Sequence, residues 1–448
     1  MFTRFFTWLA LSLALLQPAL AGSVLIENVH LFDGKSGERS AQAMRVLVVD
    51  NVIQTVSADP ITLPEGEEPL RLDGDGRTLM PGLIDAHWHA ALVGPGLMDA
   101  LTADIGYLNL LASRVSEATL MRGFTSVRDM GGPVFGLRRA IEEGLVSGPR
   151  IFPSGAMISQ TGGHGDFRLP YEVPRAMGAP LSHSEQIGAA AIADGVDEVL
   201  RRSREQLMQG ATQLKLMAGG GVSSVYDPLD VVQYSPEEIR AAVGAAENWG
   251  TYVTVHAYTS RAVRMAVEAG VKCVEHAQLI DEDTARLMAE QGVWWSLQPF
   301  LDDERANPQQ GPARLKQLMV SRGTDRAYEL AKKHGIRVAF GTDILFSGGM
   351  GTNQTPSLTA LTRWYEPGEI LKMATGDNGE LLALSGPRYP YPAPLGVIEE
   401  GALADLLLVD GDPSADLSLL ERPETSLVLI MKNGQIHKNL LPPPGAWR

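Results

Sequence analysis

Cysteine is almost missing from this 448-residue chain, where Cys273 stands alone. A single thiol cannot close an intramolecular disulfide, so the fold must rest on its core and on any ions it binds. No cysteine follows the apolar segment at the start of the chain, which excludes a lipid-modified anchor there. Basic residues are in the minority, 38 Lys and Arg against 53 Asp and Glu. The resulting formal charge of −15 repels phosphate backbones and anionic bilayers and argues against nucleic acid as a partner. Beyond residue 21 no apolar run reaches the roughly 20 residues that a spanning helix needs. Solenoid-length repeats and low-complexity tracts are absent as well.

What the first 21 residues do contain is one basic residue, Arg4, an apolar run over 5–16, and Ala19-Leu20-Ala21, the small-x-small pattern of a signal-peptidase site. We therefore expect a cleavable signal peptide at 1–21, a mature chain from Gly22, export to the periplasm or the medium, and no stable membrane insertion after cleavage.

Both ends of the remaining chain are rich in short β-branched runs. Residues 23–29 and 44–50 are broken by Asp-Gly and Asp-Asn turn signals, and Lys432-Asn433-Gly434-Gln435 is a strong hairpin signal. Between the ends, strand-like runs at 79–84, 125–128, 151–152, 213–217, 252–255, 272–274, 293–297 and 337–340 alternate with helical patterns. One such helix is introduced by Ser235-Pro236-Glu237-Glu238, an N-cap, a first-turn proline and a reciprocal glutamate. Eight strands is the number of a TIM barrel. The expected fold is α/β: a (β/α)8 barrel over 76–386, beside a small β-sandwich built from 22–75 and 387–448, with 387–394 as the linker leaving the barrel.

Chemistry concentrates at the ends of these strands. In Asp85-Ala86-His87-Trp88-His89 two histidines are one residue apart, so on a strand both face one side and can grip one cation. Lys215, His256, His276 and Asp343 each sit at the corresponding end of a later strand. A lysine in an apolar strand is costly as an ammonium and calls for a chemical reason. One such reason is carbon dioxide adding to the neutral amine, giving a carbamate that bridges two divalent ions. The other reading is a lysine that snorkels or pairs with a carboxylate.

At these residues the chain resembles the binuclear metal-dependent amidohydrolases, and within them the Xaa-Pro dipeptidase and imidazolonepropionase-like branch. The resemblance spans nearly all of the mature chain. It rests on PGLIDAHWH from Pro81, TSVRDMGG from Thr125, QTGGHGD from Gln160, LKLMAGGGVSS from Leu214, QYSPEEI from Gln233, VHAYT from Val255, EHAQLID from Glu275 and FGTD from Phe340. It implies that His87, His89 and Asp343 bind one metal and His256 and His276 a second, with carboxylated Lys215 bridging. Zinc suits this mixed donor set. Two such ions sharing a water make hydroxide available near neutral pH, and Asp343 can both ligate and carry the proton to the leaving amine.

The resemblance assigns His164 to the developing oxyanion; the alternative is a structural histidine that holds its loop through Asp166. Tyr258, two residues past His256, is a candidate for the substrate's carboxylate or carbonyl, or else a rim residue. Arg128 and Asp129 read as a structural ion pair, and Trp88, Trp294 and Trp295 as packing. The apolar, glycine-rich stretch 344–350 matches no substrate subgroup. The expected activity is hydrolysis of an amide bond next to a C-terminal amino acid in a small-molecule or dipeptide substrate, with Xaa-Pro as the working case. The alternatives are another N-acyl amino acid, a lactone or an ester, or a non-catalytic periplasmic protein that binds metal or peptide. A cyclic deaminase or imidazolone hydrolase fits less well, because those relatives generally hold one metal and lack the lysine ligand. Assembly as a homo-oligomer is left open.

Overall fold

The β-branched runs near the N-terminus pair as their pattern implies. A computed structural model describes residues 22–63, 68–173, 179–224, 226–303 and 308–442, so the expected signal peptide lies outside the described residues. Strands β1 (Val24–Leu31), β2 (Met44–Val49) and β3 (Val52–Ser57) form an antiparallel meander in which Val46 faces Ile26 on one side and Val56 on the other. Strands β4 (Leu70–Asp73) and β5 (Thr78–Pro81) both run parallel to β1.

The chain then enters the barrel with β6 (Leu83–Trp88), β7 (Phe124–Asp129), β8 (Arg150–Pro153), β9 (Met157–Ser159) and β10 (Ala190–Ile192). It continues through β11 (Leu214–Met217), β12 (Val253–Thr259), β13 (Cys273–Leu279), β14 (Trp294–Ser296) and β15 (Val338–Ala339). Parallel pairing links β6 to β8 and β11 to β15. Two backbone bonds close the ring: Thr212 N–H donates to Pro153 O at 2.8 Å, and Ala86 N–H to Phe340 O at 2.9 Å. The eight expected strands thus form a parallel barrel, with β9 and β10 as an unanticipated extension beside β11. The helix Pro236–Asn248 starts as its sequence implies, with Ser235 and Glu238 in a reciprocal capping box. Among the described residues no helix is long and apolar enough to cross a membrane.

The single strand expected over 79–84 is two. At Gly82 the chain passes from the terminal sheet into the barrel so close to Thr125 that a Cβ would lie 2.0 Å from its Oγ1. Only glycine fits such a crossing, and Thr78–Pro81 therefore belongs to the terminal sheet although the expected boundary lay at 75/76.

Strands β16 (Leu406–Val409), β17 (Leu427–Lys432) and β18 (Gln435–Asn439) return the chain to the first sheet, β16 pairing antiparallel with β5 so that Leu408 faces Leu79. The β17–β18 turn holds Asn433 and Gly434 at φ 55° and 72°, as the Asn-Gly signal implies. Ile26, Val46 and Ile53 share one apolar cluster with Leu406, Leu408 and Leu429, which packs the two halves of the sheet together. The expected linker is itself packed, since Tyr389 and Tyr391 lie against Phe152.

Candidate metal centre

The C-terminal ends of the barrel strands bring the predicted histidines into ring contact. Centroids of His87 and His89 are 5.3 Å apart, His87 and His276 5.0 Å, His256 and His276 4.6 Å, and His164 and His256 4.0 Å. Asp343 Oδ1 lies 3.1 Å from His87 Nε2 and 3.3 Å from His89 Nε2, and its Oδ2 lies 3.9 Å from His276 Nδ1. One ligand atom each from His87, His276 and Asp343 falls within 4.8 Å of the others, the compass of a single ion's coordination shell. That trio draws from both of the ligand groups implied by the resemblance.

Each imidazole has one nitrogen fixed by a neighbour. His87 Nδ1 meets Glu275 Oε2 at 2.7 Å, His89 Nδ1 meets Gly131 O at 2.9 Å, His276 Nδ1 meets Gln298 Oε1 at 2.7 Å, and His256 Nε2 meets Gly220 O at 3.1 Å. Such outer partners set the tautomer and turn the other nitrogen into a free lone pair. His87 and His89 thus both turn Nε2 to one oxygen of the Asp343 carboxylate. Although burial opposes it, Asp343 and Glu275 raise the His87 imidazole, so in the metal-free chain a proton bridges this contact, and a divalent cation can take the same place: the donor set fits a metal. Burial alone would raise the Asp343 carboxyl, but the charge of His87 and hydrogen bonds from His87 and His89 hold it well below its ordinary range. Burial pushes the His276 imidazole down to about 3 and favours its neutral, ligating form.

Lys215 is buried in β11, and loss of solvent lowers its pKa even though Glu275 and Asp343 pull the other way. A lysine so biased toward the free amine suits carbamate chemistry.

The backbone here is unusual. His276, Ala277 and Asp343 have φ of 72°, 57° and 53°, a left-handed region that costs non-glycine residues of order 1–3 kcal/mol each. Trp295 Nε1–H secures the turn by donating to His276 O at 2.6 Å. Trp88, Trp294 and Trp295 are buried packing residues, as expected.

Two expectations need correction. Arg128 does not pair with Asp129; consecutive residues on β7 face opposite sides. Arg128 donates instead to Glu275 Oε1 at 2.7 Å, while Asp129 accepts from the Ala90 and Gly131 amides and is raised to about 6 by burial. His164 is not held by Asp166, which is engaged with Arg168. Its Nδ1 lies 2.7 Å from Ser224 Oγ and 3.5 Å from Asp227 Oδ2, and its amide donates to Gln233 Oε1.

Above the histidines opens a cleft of about 450 Å³ with His164, His256, Tyr258 and Asp343 at its base. Phe300, Val320, Ile344, Leu345 and Met350 supply apolar wall, so the stretch after Asp343 is a side of this cleft. Tyr258 is stacked on His276 at 5.1 Å, and burial, with Asp343 and Asp227 nearby, keeps its phenol protonated and able to donate.

Sequence reasoning missed Glu275, Gln298, Ser224 and Asp227. Glu275 alone had a signal, a carboxylate beside a candidate ligand inside an apolar strand. It is fully buried, and although burial raises its pKa, Arg128 and His87 hold it well below the ordinary range.

A parallel α/β barrel with clustered histidines and an acid at its C-terminal face, joined to a terminal β-sheet, defines a class of metal-assisted hydrolases. The amidohydrolase family pattern matches residues 78–438, and the chain belongs to that family, whose members are hydrolases. An ochratoxinase of Aspergillus niger is 31% identical over 385 residues, covering 82% of this chain and 77% of that protein. Among solved structures, a prolidase complexed with N-methylphosphonate-L-proline is 35% identical with a TM-score of 0.83, over 93% of this chain and 100% of that one. A Xaa-Pro dipeptidase with methionine bound in its active site is 28% identical with a TM-score of 0.79, again over 93% and 100%. The branch suggested by the motifs is the one in which these neighbours lie.

Proposed function

We propose that this protein hydrolyses the amide bond preceding a C-terminal amino acid, with Xaa-Pro dipeptides as working substrates. The observation that carries the reading is the cleft, whose lining joins Asp343 and His256 to two side chains able to donate a hydrogen bond, His164 and Tyr258. His87, His89, Asp343, His256 and His276, with Lys215 as a carbamate bridge, are the residues that would hold two divalent ions, zinc by donor type. Bound there, the ions would supply Lewis acidity and a water of lowered pKa.

The chain's own groups do the rest. Asp343 takes the proton of the attacking water and passes it to the leaving amine. His164 donates to the oxygen on which charge develops, and Tyr258 donates to the substrate's free carboxylate and fixes the scissile bond over the base. Export to the periplasm is part of the same proposal, and N-terminal sequencing of native material should begin at Gly22.

A second reading, another N-acyl amino acid or an ester or lactone, is favoured by the apolar wall of Phe300, Val320, Ile344 and Leu345 and by the ochratoxinase relationship. A panel of Xaa-Pro dipeptides, N-acyl amino acids, esters and lactones on metal-loaded protein separates the two. We expect proline release; turnover of esters and lactones alone would replace the first reading with the second.

A further inference from the structure

The helix Gly311–His334 does more than wall the cleft with Gln317, Val320 and Ser321. One residue earlier, Lys316 turns its ammonium to a distant loop and donates to Gly221 O at 2.7 Å, Asp227 O at 2.9 Å and Ser224 O at 3.0 Å. An ammonium has three N–H donors, and here each has a backbone carbonyl. Neutral carbonyls return less Coulomb energy than a carboxylate would, so the gain from this contact is geometric.

The loop it gathers is the one that seats His164. Ser224 Oγ and Asp227 Oδ2 lie at 2.7 and 3.5 Å from His164 Nδ1. Asp227 Oδ2 also accepts the Gly221 amide at 2.7 Å and Gln233 Nε2 at 3.3 Å, and Gln233 Oε1 accepts the His164 amide at 2.9 Å. Gly221 is pressed against the imidazole so closely that a Cβ would lie 1.9 Å from His164 Cε1, while the other face of the ring stacks on His256 at 4.0 Å. A shift of this loop is therefore transmitted directly to the ring.

We propose that Lys316 is a positioning residue for His164: by drawing the Gly221, Ser224 and Asp227 carbonyls onto one ammonium, it sets the loop that holds His164 Nδ1 and so fixes the ring that lines the cleft. The proposal rests on the reading in which His164 serves the oxyanion. It also makes the cleft-wall helix and the oxyanion donor one mechanical unit, so that a substrate seated against Val320 and Ser321 rests on the element that fixes His164.

The test is a double-mutant cycle on metal-loaded, full-length protein with Lys316→Met, His164→Asn and the pair, metal content serving as the check on folding. A misplaced catalytic group costs about 100-fold, so Lys316→Met should lower kcat by about that factor with KM changed by less than about threefold. Lys316→Gln, which keeps two N–H donors, should fall between it and wild type. The double variant should be no slower than His164→Asn alone. Losses that multiply, or wild-type kcat in Lys316→Met, would overturn the proposal. A second arm does not depend on turnover: in histidine-¹⁵N NMR spectra, Lys316→Met should move the His164 ring signals and leave those of His87 in place. Unmoved His164 signals overturn the role of Lys316, whereas full activity of His164→Asn overturns the oxyanion reading of His164 instead.

Discussion

At the mouth of the barrel, His276, Ala277 and Asp343 adopt positive φ among buried groups, whereas in the terminal sheet Asn28, Asp50 and Asn433 do so at a bulge or a turn. The polar inventory divides the same way. Valines, leucines and isoleucines from Val24 to Leu429 fill the space between the halves of the terminal sheet, where few polar groups, Thr78 and Asp405 among them, are buried. The mouth buries His87, His89, Lys215, His256, Glu275 and His276. One region is built for stability at low cost; the other carries strained backbone and desolvated charge, which persist only where the surroundings hold them in place. If this contrast is functional, substitutions in the two regions should separate activity from stability.

The largest effect expected is at Lys215. Lys215→Ala should remove activity to background with the fold retained, as seen by circular dichroism, and short carboxylic acids should restore part of it; a fully active variant would remove the bridging role. Next comes Asp343→Asn, which can occupy the same space but cannot accept the water's proton. It should lower kcat by about 100- to 10,000-fold with little change in KM. Unchanged kcat in protein that retains its metal would exclude Asp343 as the base.

The terminal sheet should behave in the opposite way. Leu429→Ala should cost about 2–5 kcal/mol of stability in denaturant titration while kcat of the folded fraction stays at the wild-type value. A variant with intact stability and lost activity would break the comparison.

Acid should expose the mouth in the metal-free protein. His276 is held down to about 3, and free imidazole titrates near 6.5. Between these values the unfolded chain binds the additional proton, so stability falls as pH is lowered through that window. Tm of His276→Gln should therefore decline less steeply with falling pH than that of wild type, and an equal slope would remove His276 as a contributor. The smallest effect is at Tyr258. A hydrogen bond to a charged group is worth about 1.5–3 kcal/mol, so Tyr258→Phe should weaken cleavage of free-acid dipeptides accordingly and leave their C-terminal amides unaffected. Equal losses on both would place Tyr258 elsewhere in the reaction.

The parts of this arrangement that local pattern specifies were legible in the sequence. His87 and His89 announce themselves by two-residue spacing, the Pro236–Asn248 helix by its capping box, and the last hairpin by Asn433-Gly434. What depends on tertiary approach was not. Glu275 meets Arg128 from 147 positions away, and no spacing rule reaches that far. The break at Gly82 follows from how closely Thr125 packs, and the three-residue strands β9 and β10 are too short for periodicity to reveal. The same limit hid Ser224 and Asp227 behind a glycine-rich loop whose contacts with His164 form only in the fold.

The most direct test of metal-dependent amide hydrolysis is proline release from an Xaa-Pro dipeptide by native, chelator-treated and zinc-reconstituted protein, with bound metal counted alongside. The expected result is about two ions per chain in the active protein, turnover abolished by their removal and regained with their return. Undiminished proline release by metal-free protein, or none from the fully loaded enzyme, would contradict it.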